Sequence, residues 1–271
     1  MSMNSYPSVR GCCHRYRPLP LQFTFSGQEA LPPARSHQRR QTLVYATGPQ
    51  DPKPEYTDID SQLLNTIVYG LFRRKMVAAL QNRDSSEEGY QGIIDLTRRL
   101  NALGSPRDTQ VLTRRILNSL FPGWLPPAFK IMFARPLPTL SCRLNAFATW
   151  LTCQWLMGEC EINDVEIDGG EIGQGHGVLV RRCRYLEESG CVGVCINSCK
   201  IPTQEFFEKD MGLPLTMEPN YETFECQFSF GKTPLPKEQD EAFQSPCFTQ
   251  CPTSSTDTSA QCPRIAAIFE E

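Results

Sequence analysis

Histidine is nearly absent from this chain: three occur in 271 residues, at His14, His37 and His176. That scarcity argues against a usual two-histidine, one-carboxylate iron site. Neither His-Glu-x-x-His nor Gly-x-Ser-x-Gly occurs, so the common metalloprotease and hydrolase arrangements are excluded and no catalytic residue is assigned. No uncharged apolar stretch reaches eighteen residues, so no membrane span is expected. The first fifty residues contain no lysine and a single acid, Glu29. They also lack the apolar run of a secretory signal.

Those fifty residues carry six arginines (Arg10, Arg15, Arg17, Arg35, Arg39 and Arg40), a local charge of +5 in a chain of net −3. The remainder is therefore acidic, at −8. An acidic body has no electrostatic reason to bind nucleic acid. The Arg-rich, Ser-containing, acid-poor leader reads as an organelle transit peptide over 1–46, ending near Val44-Tyr45-Ala46; the competing reading is a disordered basic arm. A reducing compartment favours thiols that hold metal over a disulfide framework, although redox-switched disulfides stay open.

Residues 47–57 form a proline-rich linker, and 58–157 read as a helical region. Thr57 or Asp58 can cap a helix with Ile59, Leu63, Ile67 and Leu71 every four residues and a basic cluster, Arg73-Arg74-Lys75, on its later turns. That cluster reads as a solvated face, with anionic lipid as the sharper alternative. A second helix starts at Ser85-Ser86-Glu87-Glu88 and stops at Gly104, and a third begins at Ser105-Pro106 with Asp108 in its first turn. Residues 124–157 are unusually apolar, and read either as core helices or as a groove or membrane-facing surface for a lipophilic ligand. Trp150 and Trp155 are candidate groove-wall residues.

From Cys160 the texture becomes strand-like. Val165-Glu166-Ile167 and Val178-Leu179-Val180 predict a hairpin around a loop with Gly173, Gly175 and Gly177, which carries His176. A lone loop histidine is ordinarily solvated; as a ligand it would be an exception. Pro202-Thr203 predicts the start of a short helix ended by Gly212, and Phe224 to Phe228 alternates like a strand. Residues 253–271 read as a tail. The expected fold is α+β: a helical N-terminal part packed on a small mixed α/β, cysteine-rich C-terminal part spanning 158–252.

Cysteine is abundant, at thirteen residues. Eight lie between Cys183 and Cys262. Cys191, Cys195 and Cys199 form a ladder with three residues between neighbours, and Cys247 and Cys251 repeat the spacing before Pro252. Residues four apart share a helical face, and in a loop the same spacing also lets thiolates converge. Cys191/Cys195 with Cys247/Cys251 would satisfy a four-thiolate zinc site; iron–sulfur clusters also take four thiolates. The spacing supports a thiolate metal site and chooses poorly between zinc and iron.

Specific motifs then accumulate. Arg182-Cys183-Arg184-Tyr185-Leu186-Glu187-Glu188-Ser189-Gly190-Cys191-Val192-Gly193-Val194-Cys195 continues as Ile196-Asn197-Ser198-Cys199-Lys200-Ile201-Pro202-Thr203-Gln204. Gly212-Leu213-Pro214-Leu215, Met217-Glu218-Pro219-Asn220-Tyr221, Cys226-Gln227-Phe228-Ser229-Phe230-Gly231 and Pro246-Cys247-Phe248-Thr249-Gln250-Cys251-Pro252 follow. This pattern resembles the dwarf-twenty-seven family of plastid β-carotene isomerases over roughly residues 60–252. Cys153-Gln154-Trp155-Leu156-Met157-Gly158 is similar to a segment of a paralogous branch. The resemblance implies iron-dependent interconversion of all-trans and 9-cis β-carotene in the chloroplast, at the head of strigolactone biosynthesis. It also implies a lipophilic carotenoid partner, and peripheral membrane contact is compatible with it. Cys191, Cys195, Cys199, Cys226, Cys247 and Cys251 are the candidate metal ligands. The alternative function is a non-catalytic zinc- or iron–sulfur-binding redox or interaction protein.

Overall fold

The computed structural model describes residues 51–245, 247, 248, 251 and 262–270. The expected transit segment 1–46, the start of the linker and residues 253–261 of the expected tail lie outside the described residues.

The helices come first. α1 (Thr57–Ser61) and α2 (Leu63–Ala79) were expected as one helix, but Gln62 is extended, with ψ of 131°, and breaks it. The Asn65 amide then bonds the Ile59 carbonyl across the break. α3 (Gly89–Ala102) begins after the serine–glutamate run, and Ile93, Ile94 and Leu96 on it are fully buried. α4 (Pro106–Ser119) starts as its sequence predicts. The Ser105 side chain accepts from the Asp108 N–H, Asp108 accepts in return from the Ser105 N–H, and Pro106 takes the first helical position. α5 (Leu125–Phe129) runs into a π-turn, Lys130–Ala134, followed by α6 (Pro138–Thr152) and α7 (Gln154–Met157).

β1 (Cys160–Glu166) and β2 (Ile172–Val180) form the expected hairpin, antiparallel, with Cys160 opposite Val180. The glycine-rich segment is part of β2 and not a loop, and His176 is a buried strand residue. Its glycines allow close approach; a Cβ on Gly177 would stand 2.2 Å from the Asn163 amide oxygen. α8 (Arg184–Ser189) follows. From Val192 to Met211 the chain is then one helical rod: α9 (Val192–Cys195), a π-turn (Ile196–Lys200), α10 (Ile201–Glu205) and a second π-turn (Phe206–Met211). Pro202 therefore lies inside a helix instead of starting one. A proline there removes one backbone bond and crowds the carbonyl four residues back. The widened turn ahead of it, where the Ile201 N–H reaches the Ile196 carbonyl, makes that room. Gly212 ends the rod at φ +74°.

β3 (Leu215–Pro219) and β4 (Cys226–Phe230) complete an antiparallel sheet of order β1-β2-β4-β3. The architecture is thus α+β, as expected. A short 3-10 turn (Glu241–Phe243) precedes the last element, α11 (Pro263–Ala266). Residues 262–270 do not behave as a tail: Cys262 and Ile265 are fully buried, and Arg264 donates to the Gly104 carbonyl at 2.8 Å. One core joins helices, sheet and this C-terminal piece.

Trp155 belongs to that core and not to a groove wall. It is 3% exposed and meets Tyr69 and Phe72 edge-on, at 5.6 and 5.4 Å between ring centroids. Trp155→Ala should lower unfolding free energy by about 3–5 kcal/mol, measured by urea titration. Farther out, Asp210 accepts from Arg114 at 2.8 and 2.9 Å and from Asn118 at 2.9 Å. Burial opposes its ionisation, yet these bonds hold its carboxyl below the ordinary value. A depressed carboxyl stabilises the fold above the unfolded pKa of about 3.9, and that contribution is lost as pH falls through the folded value. Asp210→Asn should therefore flatten the fall of melting temperature below about pH 4.

Candidate metal centre

The eight cysteines from 183 to 262 do not gather into one site. The structure sorts them into two groups of four, and it divides the ladder between them.

The inner group is Cys183, Cys195, Cys199 and Cys226. These four side chains line one small cavity of about 10 Å³, together with Met157, Tyr185, Leu186, Lys200, Met217, Pro219 and Phe228. That volume holds about one water. Each sulfur arrives on a different support. Cys183 sits at the β2–α8 junction, where its N–H bonds the Phe224 carbonyl at 2.7 Å. Cys195 ends α9, Cys199 lies in the π-turn, and Cys226 opens β4 between Val180 and Pro219. The turn that delivers Cys226 includes Phe224 at φ 63°, a left-handed conformation uncommon for a bulky residue.

Burial dominates the chemistry of this group. Loss of water pushes the Cys183 thiol up to about 11 and the Cys195 thiol to about 12. Cys199 and Cys226 are raised well above the ordinary thiol value, by burial first and then by the neighbouring sulfurs. Two groups work in the opposite direction. The positive charge of Lys200 favours the thiolates of Cys195, Cys199 and Cys226, and the Tyr221 hydroxyl bonds Cys195. Lys200 is 1% exposed; its ammonium pairs with Asp240 at 2.7 Å and donates to the Met217 carbonyl. A buried ammonium is costly unless paired, so its presence beside four thiols places the main local counter-charge there.

The outer group is Cys191, Cys247, Cys251 and Cys262. Cys191 is hydrogen-bonded with Cys251, and Cys247 with both Cys251 and Cys262. The Cys191 thiol is raised far above its ordinary value, chiefly by the Cys251 contact, and that of Cys247 chiefly by burial. Gly193 explains how the C-terminal piece reaches this position. A Cβ at Gly193 would lie 3.0 Å from the Arg264 Cβ, with the Cys262 and Cys191 sulfurs at 3.5 and 3.6 Å.

Of the six ligand candidates, Cys195, Cys199 and Cys226 meet in the inner group and Cys191, Cys247 and Cys251 in the outer. Equal spacing does not make the ladder one face. Cys191 is an extended N-cap at φ −143°, outside the helix that carries Cys195. The proposed zinc quartet of Cys191, Cys195, Cys247 and Cys251 is thereby not assembled. Three further members, Cys183, Cys262 and the charge partner Lys200, were not singled out by spacing. Cys183 and Cys262 follow no spacing rule, and a lysine beside thiols leaves no periodic trace.

Both donor sets suit a thiophilic cation or cluster, since four sulfurs stand together with no carboxylate lining the inner cavity. Among the described residues, no group of three or more His, Cys, Asp or Glu side chains is arranged to hold an ion as placed. His176 joins neither group. Its ring is buried beside Gly231, and burial lowers its pKa, favouring the neutral form. Along 124–157, where a groove or membrane-facing surface is expected, α6 turns Leu140, Leu144, Phe147 and Leu151 outward. A larger opening, of about 610 Å³, has walls that include Lys75, Arg114, Arg115 and Glu205, unsuited to a hydrocarbon.

Comparison with known proteins places this centre in a family. Residues 155–239 match the model for "Beta-carotene isomerase D27-like, C-terminal", and all four inner cysteines and Lys200 fall within that span. The chain is 30% identical over 179 residues to the chloroplastic β-carotene isomerase D27 of Arabidopsis thaliana, covering 66% of each protein. It is 29% identical over 179 residues to the chloroplastic β-carotene isomerase D27 of Medicago truncatula, covering 65% of this chain and 69% of that one. The chain thus spans about two thirds of the length of the curated relatives it matches. No solved structure matches. On these matches and on the motifs that fill the inner chamber, the chain belongs to the D27-like β-carotene isomerase family.

Proposed function

We propose that this chain is a plastid isomerase of a carotenoid, interconverting all-trans and 9-cis forms of a β-carotene-type polyene within strigolactone biosynthesis, and that it depends on iron held by the inner cysteines. The observation that carries this reading is that the four inner thiols and Lys200, which line one chamber, all lie inside residues 155–239, the span matched by the family's C-terminal model.

The reaction is rotation about one double bond, with no atom gained or lost. When bound, thiolate-held iron supplies one-electron exchange, which lowers the order of a polyene bond and eases its rotation. The chain's own part is to make four thiols available as thiolates out of water. Cys183, Cys195, Cys199 and Cys226 are the donors. Lys200 offsets part of the negative charge, and the hydroxyl of Tyr221 bonds Cys195 and holds its sulfur in place. The cavity's volume of about 10 Å³ leaves no room for a carotenoid, so these residues serve the metal and not the substrate.

A second reading is favoured by the outer group alone. Four thiols that fasten a C-terminal piece to the rod suit a structural zinc, and a chain built only for that purpose would be a non-catalytic module.

Two measurements bear on the iron assignment. Cys195→Ser and Cys226→Ser, purified without oxygen, should lose iron while Cys142→Ser, a buried thiol outside both groups, keeps it. Iron retained by both inner variants would refute the ligand set, and far-UV circular dichroism separates metal loss from unfolding. Lys200→Met should weaken iron retention about 10–100-fold in a chelator competition, the range typical of groups that support ligands without touching the metal.

A further inference from the structure

The described surface is uneven. Of its seventeen exposed large apolar side chains, nine fall between Phe121 and Leu151. Four of them stand on α6: Leu140, Leu144, Phe147 and Leu151, between 40% and 51% exposed. At about 100° per residue they share an arc of roughly 60° on the helix. The opposite arc, which faces the protein, is Ser141, Cys142, Asn145 and Ala146, all buried. A surface helix ordinarily turns its apolar stripe inward. Here small and polar residues pack against the glycine-bearing strand β2, and the leucines and phenylalanine face out. Ile131 and Met132, on the π-turn that packs beside α6, are 65% and 62% exposed.

The charge of this region is as one-sided as its hydropathy. Between Phe121 and Gly158 stand Lys130, Arg135 and Arg143, and no acid at all, in a chain that is −8 beyond residue 50. None of the three pairs with a carboxylate among the described residues. Lys130 and Arg143 donate only to the carbonyls of Lys209 and Gln174. Asp164 on β1 accepts from the Gly175 N–H at 2.7 Å, and Asp210, whose carboxyl feels the charge of Lys130, is held by Arg114 and Asn118. Among the described residues, no helix is long and apolar enough to cross a membrane. A helix of fifteen residues, about 22 Å long, suits a position in the membrane plane.

We propose that α6 and the adjoining Ile131–Met132 turn form a docking surface for an anionic lipid bilayer. The stripe enters the boundary between headgroups and acyl chains, and Lys130, Arg135 and Arg143 meet lipid phosphates. Charge favours this occupant over a second copy of the chain. A symmetric pairing through the stripe would bring together two basic patches whose Arg135 and Arg143 pair with no carboxylate among the described residues. The inference deepens the isomerase reading by stating where a lipid-dissolved substrate would be met. Its test contains no carotenoid, so either reading can fail without the other.

The experiment is flotation of the full chain with vesicles of phosphatidylcholine alone or mixed with phosphatidylglycerol. The chain should float with the anionic vesicles and far less with the neutral ones. Leu140→Ser, Leu144→Ser, Phe147→Ser and Leu151→Ser combined should reduce partitioning by about tenfold or more. Leu144→Glu alone should reduce it in the same direction, which keeps the test valid if the fourfold variant misfolds. Leu235→Ser, at an exposed apolar site elsewhere, should change nothing. The proposal is overturned if the chain does not float, or if both stripe variants float like the parent, which would assign binding to another surface such as the basic N-terminus. Concentration-dependent dimers that vanish in the stripe variants, without flotation, would overturn it in favour of a second copy.

Discussion

The desolvation of four thiols around one small chamber is the constraint on which the rest of this structure depends. Thiols out of water stay protonated, and gathering four raises the cost of ionising any one. The surroundings are arranged to meet that cost. A helical rod brings Cys195 and Cys199 to the chamber, a sheet strand brings Cys226, and the strand-to-helix junction brings Cys183. Lys200 comes with the same rod, its charge balanced by Asp240. The rod continues through Pro202, with the widened turn preceding it. An ordinary helical turn there would rotate Cys199 and Lys200 away from the positions they hold.

The outer group depends on the inner one through the same rod. Cys191 stands at the rod's beginning, bonds Cys251 and lies near Cys262, which heads the C-terminal piece that seats Ile265 and Ile268 in the common core. The two groups nevertheless differ in character. The inner is sealed by apolar side chains inside the family-matched segment, and the outer is a chain of sulfur–sulfur contacts that fastens one end of the protein. α6 rests on β2 and β4, and β4 carries Cys226. The surface proposed to meet lipid and the chamber proposed to hold metal thus share one strand.

Much of this was legible in the sequence, and the failures have physical causes. The Ser105-Pro106-Asp108 cap was readable because capping is local: three residues satisfy one another. The 160–180 hairpin and the α+β division were readable from apolar period. The glycines of β2 read as a loop because the role of Gly177 is tertiary, letting β1 and β4 side chains approach closely. Pro202 read as a helix start because π-turns carry no signature of their own. The ladder read as one face because spacing does not reveal that Cys191 precedes the helix. Apolarity alone could not tell the buried Trp155 from the exposed Leu144; only the fold decides which side of each helix faces in.

The most direct test of the central claim is the metal and inorganic sulfide content of the full chain, expressed in iron-replete cells and purified without oxygen, with its visible spectrum. The account predicts bound iron with sulfur-to-iron absorption, lost when inner cysteines are replaced and unaffected by Cys142→Ser. Stoichiometric zinc without iron would contradict it, leaving the chamber a structural site and the one-electron route without a carrier.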